Sequence, residues 1–197
     1  MKYVIGIDEV GRGSLAGPVL VAALAVPVGL RVANYELGKL RDSKKLTPKR
    51  REAWSKFICK HPRLAYTIAR VYPRQIEKRN ISRAANLAAL RAFNRLSANL
   101  RLRVARCRIF LDGGLYLGNA DSSRKFGART IVRGDEKIRV VAAASVVAKV
   151  SRDKGMVRLG KKYRQYGFEI NKGYGTKAHL AAIKKHGPSE VHRLTFV

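Results

Sequence analysis

Runs of apolar residues, and the spacing at which polar ones interrupt them, divide the chain into strands and helices. Lys2 to Asp8, KYVIGID, reads as an apolar strand that opens into a glycine-rich turn over Val10 to Gly17. Val19 to Val26 is a nearly unbroken apolar run, the pattern of a strand covered on both faces. Thr47-Pro48 has the form of an N-cap with proline at the first helical position, and Trp54, Phe57 and Ile58 then share one face of a helix reaching about His61. Leu64 to Tyr72 predicts a third strand, and Ser82 to about Leu100 a helix that turns Leu87, Leu90, Phe93 and Leu96 inward. Arg103 to Leu111 alternates and stops at Asp112-Gly113-Gly114, a strand meeting a turn, and Ala128 to Val132 predicts one short strand more. Small residues, VVAAASVVAKV, open a long helix from Arg139 to about Tyr163, and their size permits close approach to a sheet. Lys177 to His186 makes a last helix. Hairpin-like strands first and helices towards the C-terminus predict an α/β fold.

Composition sets bounds on this picture. The chain has 197 residues, 46% of them hydrophobic, with six prolines, no repeat and no Gly/Ser/Pro-rich linker, which suits one globular domain and excludes a disordered or fibrous class. Lys and Arg number 42 against 13 Asp and Glu, a formal charge of +29. Such a field attracts polyanions, so nucleic acid is the leading partner; a basic surface kept for solubility is the plainer alternative. No apolar span or long amphipathic helix points to a membrane. Cys59 and Cys107 show no CxxC spacing and read as reduced core thiols. The first residues lack the pattern of a signal peptide, so the expected compartment is the cytoplasm, where the sequon Asn80-Ile81-Ser82 carries no meaning.

Against so basic a background, the acidic positions are informative. Asp8 and Glu9 stand side by side at the end of an apolar strand, where their mutual repulsion gains the fold little unless a cation lies against them. Asp112 follows RCRIFL, and Asp135 sits in VRGDEKIRV. Any one of these reads most simply as a solvated strand end, but strand ends far apart in sequence can meet on one rim of a sheet. Adjacent strand residues point to opposite faces, so Asp8 and Glu9 serve one site only if the strand twists or ends there, an exit that Gly6 and Gly11 allow. Oxygen ligands without a His/Cys set favour Mg²⁺ or Mn²⁺ over zinc, and such ions on a basic protein suggest phosphoryl chemistry on nucleic acid.

The stretch Gly6 to Pro18, GIDEVGRGSLAGP, closely resembles the N-terminal signature of type 2 ribonuclease H (ribonuclease HII). Asp42 to Thr47 (DSKKLT), Leu111-Asp112-Gly113, Gly134-Asp135, Ala142 to Asp153 (AAASVVAKVSRD), Lys172 to Thr176 (KGYGT) and His192 to Phe196 (HRLTF) follow in the family's order and approximate spacing. The resemblance implies a ribonuclease H-like fold, a mixed central β-sheet flanked by helices, as a single domain over residues 1–197 whose helical C-terminal part, from about Gly155, completes the substrate cleft. It implies that Asp8, Glu9, Asp112 and Asp135 hold two divalent ions, Mg²⁺ or Mn²⁺, about the scissile phosphate, with Glu136 the alternative to Asp135. Gly11-Arg12-Gly13 would bring the backbone to the ribose 2′-hydroxyl, Tyr174 would pack on the sugar after the ribonucleotide, and Ser43, Lys44 and Lys45 would contact phosphate. The implied partners are RNA/DNA hybrids and DNA duplexes containing ribonucleotides, bound by a monomer, and ending at Val197 the chain shows no tail of the kind through which some relatives bind a sliding clamp.

Each of these residues has a plainer reading: Gly11-Arg12-Gly13 as a flexible turn, Tyr174 as a core-closing ring, the two lysines as a solvated loop. Lys149 and Asp153 are spaced for a helix ion pair, a structural role preferred here to metal ligation for Asp153. His179, His186 and His192 fit no zinc spacing and read as surface or structural residues, with His192 supporting the site through its tail motif. Ser14, Asn171 and Thr195 depart from the family's usual proline, histidine and serine. Expected, then, is an endonuclease for hybrids and for single embedded ribonucleotides, acting in ribonucleotide excision and primer removal. The alternatives are a non-catalytic basic RNA-binding protein on the same sheet, and a nuclease for long hybrids without junction preference.

Overall fold

A computed structural model describes residues 2–30, 40, 46–101 and 104–197, Ala105 by its backbone alone. In chain order the elements are β1 (Tyr3–Val10), β2 (Val19–Pro27), α1 (Pro48–Lys60), β3 (Ala65–Val71), α2 (Pro73–Arg79), α3 (Ile81–Leu100), β4 (Cys107–Asp112), α4 (Ala120–Lys125), β5 (Ala128–Ile131), α5 (Gly134–Lys137), α6 (Arg139–Lys162), α7 (Phe168–Asn171) and α8 (Lys177–His186). The five strands lie in the order β3-β2-β1-β4-β5. β1, β2 and β3 pair antiparallel, while β4 runs parallel to both β1 and β5. The sheet is therefore mixed, with helices on both faces, as the family resemblance implied.

Period-two alternation explains why β2 is wholly buried. Val19, Val21, Ala23 and Ala25 face α3 and its Phe93 and Leu96, while Leu20, Ala22 and Leu24 face Trp54 and Ile58 of α1 and the small residues of α6. Burying each Val or Leu in this way contributes about 1.5–3 kcal/mol. The face of α3 against the sheet is largely alanine (Ala84, Ala85, Ala88, Ala89, Ala92), and the expected inward leucines Leu87 and Leu90 flank that seam half-buried. α6 comes closer still to β1: a Cβ on Gly6 would lie 2.4 Å from the Val140 backbone. That contact needs glycine in the strand and small residues in the helix.

A third cluster joins Ala16, on the loop after β1, to Met156 of α6, Tyr166, Phe168 of α7 and Ile183 of α8. The helical C-terminal part thus packs on the loop that leaves the first strand. Four short helices, α2, α4, α5 and α7, are absent from the sequence reading because four to seven residues are too few to display a period. Asn80 is the N-cap of α3, accepting from Arg83 N–H at a φ of 64°, which gives the apparent sequon a structural role. Cys107 is half-buried as a core thiol would be, but Cys59 is exposed, since it falls on the outer side of the last turn of α1. Among the described residues no helix is long and apolar enough to cross a membrane.

Candidate active site

β1 does not end at Asp8 but continues through Glu9 to Val10. Its pairing with β2 runs that far, with Asp8 opposite Ala22 and Glu9 opposite Val21, yet its pairing with β4 stops at Ile7 opposite Leu111. Past that point β4 reaches Asp112 and turns away. The end of β1 is thus open on one edge, and a carboxylate from either face can swing into the gap. One oxygen each from Asp8, Glu9 and Asp112 lies within 4.8 Å of the others. Of the two routes that alternation left open, a twist or an end of the strand, the end is not taken: the side chains meet while β1 continues to Val10.

Backbone donors orient this group. Glu9 N–H donates to Asp8 Oδ1 at 2.7 Å, and the first turn of α5 holds Asp112 Oδ1 through Gly134 N–H at 2.6 Å and Asp135 N–H at 3.3 Å. Asp135, 5% exposed, lines the same cavity of about 480 Å³ as the other three carboxylates, with Ser145, Lys149 and Tyr174 on its walls. Glu136, the alternative, is exposed and lies 3.8 Å from Arg133. Burial, then the Glu9 charge, push the Asp8 carboxyl well above its ordinary range, against the opposing hydrogen bond from Ser145. Glu9 is raised as well, by burial first and by Asp112, while the Arg12 guanidinium 3.3 Å away opposes the shift. Glu9 Oε2 is buried and accepts no hydrogen bond among the described residues. Buried oxygens, mutual repulsion and an orphaned acceptor together fit hard divalent cations, which would offset all three costs.

The Gly11-Arg12-Gly13 loop leaves β1 beside these carboxylates. Arg12 reaches back, with Nη1 on Glu9 Oε1 and Nη2 3.0 Å from Ser82 Oγ, which ties its partly exposed side chain to the carboxylate group. Gly11 has φ of +90°, and a Cβ there would sit 2.2 Å from Arg152 Nε. A Cβ at Gly13 would touch nothing within 4 Å. The loop is held from below by two buried arginines. Arg193 donates to the carbonyls of Gly11, Arg12 and Gly17 at 2.7–3.0 Å, and Arg152 to those of Ala16, Pro18 and Lys172 at 2.9–3.1 Å. Burial, and then Arg152, push the Arg193 guanidinium down to about 9, which leaves it charged at neutral pH. Neither arginine was singled out from sequence. Among 42 basic residues nothing local marks two as buried; the available signals were the places of Arg152 in AAASVVAKVSRD and of Arg193 in HRLTF.

Tyr174 stands half-buried between Gly173 and Gly175, its ring 5.3 Å from the Arg152 guanidinium and 5.8 Å from Lys149 Nζ. Lys149 makes the expected ion pair with Asp153 at 2.9 Å, so Asp153 belongs to the helix surface and not to the carboxylate group. Asn171, in place of the family's histidine, shapes the turn before the ring, donating to Tyr166 O and accepting from Gly173 N–H. Ser14, in place of proline, is buried with a hydroxyl that has no partner among the described residues. His186 is exposed, while His179 and His192 are buried and paired. Ser43, Lys44 and Lys45 lie outside the described residues.

Comparison with known proteins gives this geometry a context. The sequence model of ribonuclease HII matches residues 5–197. The ribonuclease HII of Pelagibacter ubique is 39% identical over 198 residues, covering 100% of this chain and 96% of its own. That of Caldicellulosiruptor bescii is 40% identical over 196 residues, covering 100% and 87%. Among solved structures, the ribonuclease HII of Archaeoglobus fulgidus in complex with PCNA superposes with a TM-score of 0.73 at 25% identity, over 98% of this chain and 94% of that one.

Proposed function

The chain belongs to the ribonuclease HII family and is a metal-dependent ribonuclease H, and from that premise we propose that it cuts the RNA strand of RNA/DNA hybrids and cuts duplex DNA on the 5′ side of a single embedded ribonucleotide. The products are 5′-phosphate and 3′-hydroxyl ends, and the cellular roles are ribonucleotide excision and RNA primer removal in the cytoplasm. The observation that carries this reading is the convergence of Asp8, Glu9 and Asp112 within 4.8 Å, at the rim of the sheet from which Gly11-Arg12-Gly13 departs. Asp8, Glu9, Asp112 and Asp135 would hold two ions, Mg²⁺ or Mn²⁺. When bound, such ions activate water and stabilise the leaving 3′ oxygen.

The chain's own groups do the rest. Gly13, open to solvent and free of side chain, lets a ribose approach the backbone closely enough for its 2′-hydroxyl to be read. Tyr174 offers a ring face to the following sugar, held in place by the cations behind it. Arg12 holds Glu9 in register with Asp112 until substrate arrives. The surrounding positive charge draws the duplex in and adds binding that is independent of sequence. The enzyme acts as a single domain and a monomer, its C-terminal helices forming one wall of the cleft.

The test is cleavage of a labelled DNA duplex carrying one ribonucleotide, beside an RNA/DNA hybrid and an all-DNA control, with Mg²⁺, Mn²⁺ or chelator. A single metal-dependent 5′-side cut, abolished in Asp112→Asn with hybrid binding retained, is the expected result. Turnover by Asp112→Asn would overturn the carboxylate assignment. Binding without cutting under every metal condition would favour the basic RNA-binding reading.

A further inference from the structure

Two buried histidines, outside the carboxylate site, form a chain of hydrogen bonds whose direction is determined throughout. Ser189 N–H donates to His192 Nδ1 at 2.9 Å and the Ser189 hydroxyl lies 2.8 Å from the same nitrogen; since the backbone N–H can only donate, Nδ1 accepts from both and the neutral ring carries its proton on Nε2. His192 Nε2 lies 3.0 Å from His179 Nε2, which must therefore accept. His179 is left with its proton on Nδ1, 2.9 Å from the carbonyl oxygen of Tyr174. The rings are 0% and 2% exposed and are walled by Tyr166 and Phe168.

The place where this chain ends gives it a consequence. Tyr174 lies between two glycines, and the backbone just before it is already held to the glycine loop by Leu15 N–H and Ala16 N–H on Gly173 O at 2.8 and 3.2 Å. Its local bonds are Tyr174 N–H to Asn171 O and Thr176 N–H to Tyr174 O, both within the same loop. At the Tyr174 carbonyl itself the histidines add a second tie, to two firm anchors: His179 sits in the first turn of α8, and His192 is bridged to Ala16 at the foot of the glycine loop. We propose that His192 and His179 are positioning residues for Tyr174: the relay from Ser189 fixes the Tyr174 carbonyl, hence the ring, against the loop that reads the ribose, and so sets discrimination in favour of single-ribonucleotide junctions. This rests on the reading of Tyr174 as the platform for the sugar after the ribonucleotide.

The experiment compares wild type, His192→Phe and His192→Gln on a duplex with one ribonucleotide and on a continuous RNA/DNA hybrid. Phenylalanine keeps the ring packing and removes the donor, whereas glutamine can restore an N–H near the Nε2 position. For His192→Phe, KM on the single-ribonucleotide duplex rises about tenfold, the size of one well-placed hydrogen bond, with kcat and the continuous hybrid changed by less than about threefold. His192→Gln recovers most of the difference. ¹⁵N NMR of the wild-type protein shows His179 protonated on Nδ1 and His192 on Nε2. Equal losses on both substrates, a loss confined to kcat, or the opposite tautomers would overturn the proposal. If His192→Phe does not fold, the tautomers and the glutamine variant decide. Wild-type protein that cuts neither substrate sinks the nuclease reading, and the tautomers still test the relay.

Discussion

At the scale of single residues, Asp8 is held at a cost. It is buried, adjacent to Glu9 and close to Asp112, and its carboxyl is displaced far upward by desolvation and repulsion. An asparagine can still accept the Glu9 N–H through Oδ1 and removes the charge. Asp8→Asn is therefore expected to stabilise the metal-free protein by about 1–2 kcal/mol, a few degrees in Tm. Mn²⁺ should raise the Tm of wild type and leave the variant unmoved. Thermal unfolding with EDTA and with Mn²⁺ checks both; a variant less stable than wild type in EDTA would show that the carboxylates are not in conflict. Trading stability for a charged, pre-oriented cluster is what a cation-binding site requires.

At the scale of elements, the loop from Gly11 to Pro18 is built as much by the C-terminal segment as by its own sequence. Arg193 and Arg152 satisfy five of its carbonyls, a pattern that needs these residues brought together across the fold. The two glycines flanking Arg12 then separate in role. Gly11→Ala forces a side chain into positive φ and onto Arg152, and is expected to lower stability by about 2 kcal/mol or more. Gly13→Ala meets open space and should stay within about 0.5 kcal/mol of wild type, while single-ribonucleotide cleavage falls at least about tenfold because the ribose can no longer approach. Denaturant unfolding beside cleavage assays separates the two effects. A Gly13→Ala enzyme with full activity would remove that loop position from ribose recognition.

At the scale of the whole molecule, the buried His192 couples stability to pH. Burial, and then His179, push His192 down to about 4, below its ordinary 6.5. The unfolded chain takes up that proton more readily than the folded one. Stability from the neutral His192 is thus complete above about pH 6.5 and is lost as pH falls towards 4, by on the order of 3 kcal/mol. The groups around it are His179, Tyr166 and Ser189, with the Arg193 guanidinium next in the chain. Since glutamine does not titrate in this window, the difference between wild-type and His192→Gln stability, measured by denaturant from pH 4 to pH 8, isolates the effect. A flat difference curve would show that His192 is not held neutral. Carboxylates at the candidate site are the same in both proteins, so their contribution cancels.

What the sequence determined by itself is what depends on neighbours along the chain. Period-two alternation and apolar runs gave the five strands, a cap and a shared apolar face gave α1, an inward leucine–phenylalanine face gave α3, a run of small residues gave α6, α8 was read as the last helix, and the signature motifs singled out the carboxylates and the Gly11-Arg12-Gly13 loop. Tertiary structure decided what depends on distance across the fold. Alternation put Asp8 and Glu9 on opposite faces, yet they converge at the point where the β1–β4 pairing has stopped. Burial of Arg152 and Arg193 was invisible among so many exposed cations, because their partners are carbonyls up to 182 positions away. The histidine relay was equally hidden: hydrogen bonds from Ser189 to Tyr174 need a fold to bring α8, the tail and the KGYGT turn into one dry pocket, and no local pattern encodes that meeting.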